Sequence, residues 1–374
     1  MIAVRWLGFA LGIILLFLTA SSVVKTLLIP RTVRSYLASV LGWLVRGSFQ
    51  KVTARVEDLR QRERILAGAG PAWLIALLAT WLLCLFFGFA LLLWPLNDHT
   101  FGLSMEEAGS SLFTLGFVRP HGAGPAALVF LAGASGLGLM ALLIAYLPTL
   151  YTAFNRREIA VTMLEALAGS PPWGPELLAR QALIGDEAYL PKVYERWTEW
   201  AADISESHTN YRTLIYFRSP DPRTSWLLGL LAVLDAAALH LALNPGTAPA
   251  EARPLLRVGY ITMRKLAKGL GVPVTDDPHP DDPLALTRQE FSQAVDRMRR
   301  AGWVAEREPD EAWPHFRGWR VNYEAAAYAL ARSLDLPPAV WSGDRPRHRP
   351  PPQLPVRPPH REPGQPRENT AKAP

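Results

Sequence analysis

The first 155 residues alternate between long apolar stretches and short polar ones, a pattern the rest of the chain lacks. Nineteen uncharged residues separate Arg5 from Lys25. No charge occurs from Ile65 to Asn97, and the core of that run, Ala72 to Trp94, is almost wholly Leu, Phe, Ala and Trp. A third run is uncharged from Gly122 to Asn155, with a core from Pro125 to Leu147. The hydrocarbon core of a bilayer takes about 20 apolar residues as helix, so each run predicts a membrane-spanning helix. Trp73 and Trp94 stand at the ends of the second, where amphipathic rings favour the interface. The first run has a rival reading as a signal peptide, with a basic start and the small-residue patch Thr19-Ala20-Ser21-Ser22. Its apolar part exceeds the roughly 7–15 residues of such a segment, which favours a retained helix.

Beyond Asn155 the apolar positions recur at helical spacing, and no alternating strand pattern of useful length is present. Helices are expected near 175–184, 187–208, 224–243, 251–270, 287–302 and 322–335. Gly169-Ser170-Pro171-Pro172 ends the helix that leaves the third run, and Thr287-Arg288-Gln289-Glu290 has the form of a capping box. The stretch 226–243 is apolar except for Asp235 and His240. A central Asp costs about 2.5–3.5 kcal/mol on membrane insertion, so this stretch is expected to be the buried helix of a separate domain rather than a fourth span.

The predicted fold class is therefore all-α, in five parts: an N-terminal transmembrane helix (1–30), a basic cytoplasmic or interfacial segment (31–70), a transmembrane module (71–154), a cytoplasmic helical domain (155–341) and a Pro/Arg-rich tail (342–374). Ten of the 33 prolines lie in 345–374, too little apolar material to fold, so the tail is expected to be disordered. The net charge is +6. Arg31, Arg34, Arg46, Lys51, Arg55, Arg60, Arg62 and Arg64 lie between the first two runs, against Arg119 alone between the second and third. The positive-inside rule then predicts a multi-pass protein of the cell membrane with its N-terminus outside and everything after 155 cytoplasmic. Tyr36, Leu37, Val40, Leu41, Trp43, Leu44 and Val45 fit an amphipathic helix, either lying in the interface or packed on the protein itself.

Candidate chemistry is sparse. The one cysteine, Cys84, sits within an apolar run and can supply neither a disulfide nor a metal cluster. Glu195, Glu199, Asp203 and Glu206 share one helix face with His208 just beyond, which reads as a solvated acidic face. Asp276-Asp277-Pro278-His279-Pro280-Asp281-Asp282 is a proline-broken loop without the spaced ligands of a calcium site. Gly133-Ala134-Ser135-Gly136 matches the G-x-S-G of rhomboid-type proteases, but no histidine lies in the three spans to act as base. Nucleotide-binding glycine motifs and nucleic-acid signatures are missing too. The expectation is a non-enzyme with no cofactor, no metal site and no nucleic-acid partner; its partner is the lipid bilayer.

The stretch between the second and third runs is unlike an external loop. Ser104 and Glu107 have capping-box spacing, small residues follow, and Leu112 to Val118 turns apolar again. A short helix followed by apolar extended chain between two spans predicts a re-entrant loop over 103–118, a form tolerated only where protein or water meets the backbone. Thr114-Leu115-Gly116-Phe117-Val118 resembles the T-V-G-Y-G filter of potassium-channel pore modules, in the matching order of helix, pore helix, filter and helix. That resemblance covers about Ala72 to Arg157. It implies an ion-channel-like homo-tetramer in which the carbonyls of Thr114 to Val118 replace the water around potassium or another monovalent cation. It also implies a possible gating hinge at Gly136 and Gly138, for which close helix packing is the plainer explanation. Val118 replaces the second filter glycine and Arg119 the acidic residue that usually follows. Those departures favour the alternative, a non-conducting membrane scaffold or sensor with its output in the cytoplasmic domain. The wording around the filter, with Ile144-Ala145-Tyr146-Leu147-Pro148-Thr149-Leu150-Tyr151, also resembles bacterial membrane proteins loosely grouped with ion channels.

Overall fold

The computed structural model describes residues 2–29, 35–97, 100–221, 223–343 and 353–357. Among these residues the chain is helical throughout and holds no strand. Four helices are long and apolar enough to cross a membrane, which is compatible with a multi-pass membrane protein.

Helix α1 (Ile2–Val23) packs antiparallel on α4 (Ala69–Leu93). Glycines let the two backbones meet: a Cβ on Gly12 would lie 2.8 Å from the Gly88 carbonyl oxygen. Such close approach through small residues is what holds helices together where water supplies no driving force. The Trp81 indole N–H donates to Ser22 Oγ at 3.0 Å near one end of the pair, and Arg5 stacks over Trp94 at the other. Helix α2 (Tyr36–Thr53) is packed on the protein itself. Leu37, Ala38 and Leu41 pack against the α4 cluster, and Trp73 Nε1 donates to the Ala38 carbonyl at 3.2 Å. Its other face leaves Tyr36, Trp43 and Leu44 exposed. A short helix, α3 (Leu59–Ala67), leads into α4.

Helix α5 (Phe101–Leu112) lies between α4 and α6 (Ala123–Ala168). At 46 residues α6 is about 69 Å long by the helical rise, more than twice the hydrocarbon thickness. It runs through Pro148 without ending, so the third apolar run and the start of the C-terminal domain are one strut.

The C-terminal domain is wound around α9 (Trp226–Leu243), all 18 residues of which are buried. Its shell is the far end of α6, α7 (Gly174–Ile184), α8 (Leu190–Asn210), α10 (Ala252–Gly269), α12 (Pro309–Arg320) and α13 (Glu324–Ser333), with α11 (Arg288–Arg300) on α7 and α12. Being enclosed on every side, α9 presents no surface to lipid, in keeping with its central Asp235. That carboxylate accepts from the Arg320 guanidinium and from Tyr323 Oη at 2.8 Å. Arg320, itself fully buried, also bonds Glu324 at 2.9 Å and Tyr328 and the Trp341 carbonyl at 2.8 Å. The Thr287–Glu290 capping box is formed. Helix α12 was not expected, because Pro309 and Pro314 read as breakers. Pro309 occupies the first turn, where its missing N–H costs nothing, and burial of Ala312 and Phe316 carries the helix past Pro314.

Two further points amend the expectations. Asp203 on α8 pairs with Arg156, while Glu195, Glu199 and Glu206 are exposed, so the acidic face is solvated. His208 is buried, with Nε2 3.2 Å from the Arg157 guanidinium. The tail expected to be disordered lies mostly outside the described residues, but 353–357 are docked. Arg357 bonds both oxygens of the buried Glu176 at 2.7 and 3.1 Å, and Arg180 and Arg297 donate to the carbonyls of Val356 and Pro355. A buried carboxylate that needs paired cations outweighs the low apolar content of this piece.

Removing one partner of a buried charge pair strands the other, at about 3–5 kcal/mol. Asp235→Ala should therefore lower the unfolding midpoint of the C-terminal domain sharply, read by circular dichroism of the full chain in detergent. Exposed Glu195→Ala should leave it unchanged. Acid should weaken the same domain. Burial would raise the Glu176 carboxyl, but bonds from Arg357, Arg180 and Arg297 outweigh it and hold it below the ordinary range. The fold therefore binds the ionised form and loses that stabilisation as pH falls through the carboxylate range. Burial and then the Arg157 charge hold His208 well below its ordinary value. The fold thus keeps the ring neutral and loses about 1.4 kcal/mol per pH unit below roughly pH 6.5. His208→Gln should make the midpoint fall less steeply between pH 7 and 5.5; the slope that remains there belongs to His240, which burial lowers to about 4.

Candidate functional site

The site is the stretch joining α4 to α6. Asn97, just past α4, donates from Nδ2 to the Glu107 carboxylate at 2.5 Å, and its carbonyl accepts from Arg5 at 3.4 Å. Glu107 is buried on α5. The Ser104–Glu107 capping box is not formed. Helix α5 starts four residues earlier than that box implies, at Phe101, with Thr100 as an N-cap whose side chain makes no capping bond. Ser104 bonds back to the Thr100 carbonyl, and Glu107 is spent on Asn97. Spacing alone could not show that the helix had already begun.

Glycines on α5 and α6 let α5 pack closely between its neighbours. A Cβ on Gly109 would stand 3.1 Å from the Phe86 ring of α4. On α6, a Cβ on Gly133 would lie 3.4 Å from the Ser111 carbonyl oxygen. At Gly136 the same atom would fall 2.1 Å from the Leu112 carbonyl oxygen, which no real side chain can do. Gly136 thus seats the end of α5 on α6, about 20 Å along α6 from its start by the helical rise. The residues 113–122 cover that distance back. Gly138 is exposed with nothing within 4 Å of the added atom, so the two glycines expected to act together differ in their surroundings.

The sequence-predicted filter residues follow directly. Thr114 and Gly116 have φ of +56° and +72°, alternating with ordinary conformations at Leu115 and Phe117. For Gly116 this is easy; for the β-branched Thr114 it is a strained conformation that its surroundings must enforce. The enforcing group is Ser110, which is buried. Its carbonyl accepts from the N–H of Leu115 at 2.8 Å and of Gly116 at 3.2 Å. Its hydroxyl accepts from the N–H of Phe117 at 3.0 Å and of Val118 at 3.3 Å. Four consecutive amides converge on one residue. In a trans peptide the carbonyl lies opposite the N–H. The carbonyls of Thr114, Leu115, Gly116 and Phe117 therefore all face away from Ser110, on the outer side of the turn. There Leu115 and Phe117 are each 65% exposed.

A row of aligned carbonyls can coordinate a hard cation, as carbonyl oxygens do in ion-selective pores. One such row gives few ligands, and a full shell needs more than one copy. No His/Cys/Asp/Glu cluster able to hold a metal occurs among the described residues. Ser110 was missed in the sequence; the small-residue run Gly109-Ser110-Ser111 was its only trace. No protein-family model matches the chain, and neither a curated protein nor a solved structure matches it.

Ser110→Ala keeps the carbonyl but removes the acceptor for Phe117 and Val118. At about 1 kcal/mol per bond, their amides should exchange with solvent roughly five- to tenfold faster. Hydrogen-exchange mass spectrometry of a peptide covering 113–119 reads this directly, with α9 peptides unchanged.

Proposed function

We propose that this protein is a pore-loop membrane protein that passes monovalent cations. In this reading α1, α4 and α6 span the bilayer, with the N-terminus outside and the C-terminal domain in the cytoplasm. Helix α5 and the return at 113–122 form a re-entrant loop between α4 and α6. Four copies meet around the open face of that loop, so that the carbonyls of Thr114 to Phe117 ring a common axis. The observation that carries the reading is the convergence of four consecutive amides on Ser110, because it turns away a row of carbonyls that have no partner among the described residues. The depth of α5, fixed by Gly136, supports the re-entrant geometry. Val118, outside the carbonyl row, and the exposed Arg119 replace the glycine and acid of a potassium filter. This favours weak discrimination among monovalent cations over strict selection of potassium. Gly136 acts as a packing contact, and of the two glycines only Gly138 has the room to serve as a hinge.

The alternative, a non-conducting scaffold or sensor, draws on the same departures. A positive Arg119 beside the carbonyl row opposes an arriving cation, and α6 runs without a break from that row into the C-terminal domain. Flux of the full chain in proteoliposomes separates the two. The channel reading expects potassium and sodium flux from a tetramer, a loss of tenfold or more in Gly116→Ala, and a rise in Arg119→Gln. The glycine change costs about 1–2 kcal/mol in a left-handed conformation with space to spare, so the tetramer should persist. A folded protein that is monomeric in mild detergent, or a tetramer without flux, excludes conduction.

A further inference from the structure

Away from the carbonyl row, a cavity of about 320 Å³ opens where the membrane helices meet the C-terminal domain. One wall comes from the π-helical turn Val24–Leu28, α2 and the start of α4; the other comes from the 3₁₀ turn Arg212–Tyr216, the start of α9 and the chain after α13. Its lining combines aromatic, aliphatic and polar side chains, and the polar part is unfinished. Six of its side chains carry a buried atom with no hydrogen-bond partner among the described residues: Thr26, Asn210, Ser219 and Ser225 through oxygen, Trp226 through its indole N–H, and Glu63 through one carboxylate oxygen. Ser225 and Trp226 are 3% and 1% exposed. The large majority of buried polar groups find partners, so six in one cavity point to an occupant. Most of them can donate.

The charges say which occupant. Both carboxylates of the cavity are already matched, Glu63 by Arg218 and Asp335 by Arg62. Lys25 and Arg46 also line it and have no carboxylate within ion-pair distance among the described residues; Arg46 stacks over Tyr216 instead. Two cations with hydroxyl and indole donors suit a phosphate oxyanion. The aromatic wall of Trp43, Phe49 and Trp73 suits a hydrocarbon chain, and Trp43 continues onto the exposed apolar face of α2. We propose that this cavity binds one anionic glycerophospholipid, its phosphate between Lys25 and Arg46 and one acyl chain running out along α2. The site goes beyond conduction and does not depend on it. A lipid held there would bridge the membrane helices and the C-terminal domain.

The test uses the full chain in a neutral maltoside detergent, with native mass spectrometry and thermal unfolding as readouts. The probes are phosphatidylglycerol, phosphatidylcholine and inorganic phosphate. Phosphatidylglycerol should bind at one molecule per chain and raise the midpoint. Binding should fall at least tenfold in the Lys25→Gln/Arg46→Gln double variant, with its lipid-free midpoint unchanged, and stay as in wild type for Arg196→Gln, an exposed cation on α8. Phosphatidylcholine should bind at least tenfold more weakly, and inorganic phosphate should not compete. Equal binding of the two lipids, or no effect of the double variant, would mean an ordinary belt lipid and overturn the proposal. Competition by inorganic phosphate at millimolar concentration would make the ligand a free oxyanion and overturn the lipid assignment.

Discussion

Backbone amides that leave a helix among apolar side chains must find acceptors nearby, and this constraint governs the stretch after α5. Each buried group left unsatisfied costs about 1–3 kcal/mol. Ser110 meets the demand by itself, with its carbonyl for two amides and its hydroxyl for two more. The solution has a geometric consequence. Turning four amides to one side turns four carbonyls to the other. It also explains the left-handed conformation at Thr114, which an isolated β-branched residue would resist. The feature with most functional promise is thus a by-product of satisfying the backbone.

The same stretch depends on α6. Gly136 accepts the end of α5, and some twenty residues on the same helix carries Arg157 into a fully buried setting. There the guanidinium bonds Glu158 and the carbonyls of Leu214 and Phe217, at 2.7 to 2.8 Å. Tyr146, Leu150 and Ala153 of α6 meet Leu214 and Phe217 in a separate small core between the apolar helices and the domain. One continuous helix therefore links the seat of α5 to the interior of the C-terminal domain. The domain keeps its own order through α9, where Asp235 and Arg320 turn a lone carboxylate into the hub of a buried network.

How much of this was legible follows from the range of the interactions. Apolar runs declare themselves locally, so α1, α4, α6 and α9 were readable, and the single Asp235 was enough to place α9 inside protein. Capping at Thr287 was readable because it involves only four residues. The Ser104–Glu107 box failed for a matching reason: the pattern is local, but Glu107 is claimed by Asn97, ten residues back. Helix α12 was hidden by Pro314, whose local cost is overcome by burial against α9. The docked 353–357 piece was hidden because its partner, Glu176, lies far away in the chain. Thr114 to Val118 could be singled out by likeness to a filter, yet nothing in the order of residues revealed that their amides converge on Ser110.

The central claim is that the carbonyls of Thr114 to Phe117 face a cation path. The most direct measurement is the position of thallium, a heavy monovalent cation, in the full chain embedded in lipid. The account predicts thallium on the axis of a tetramer, in contact with the Leu115 and Gly116 carbonyl oxygens, and lost in Gly116→Ala. Thallium absent from that axis, or carbonyls turned inward toward α5, would contradict it.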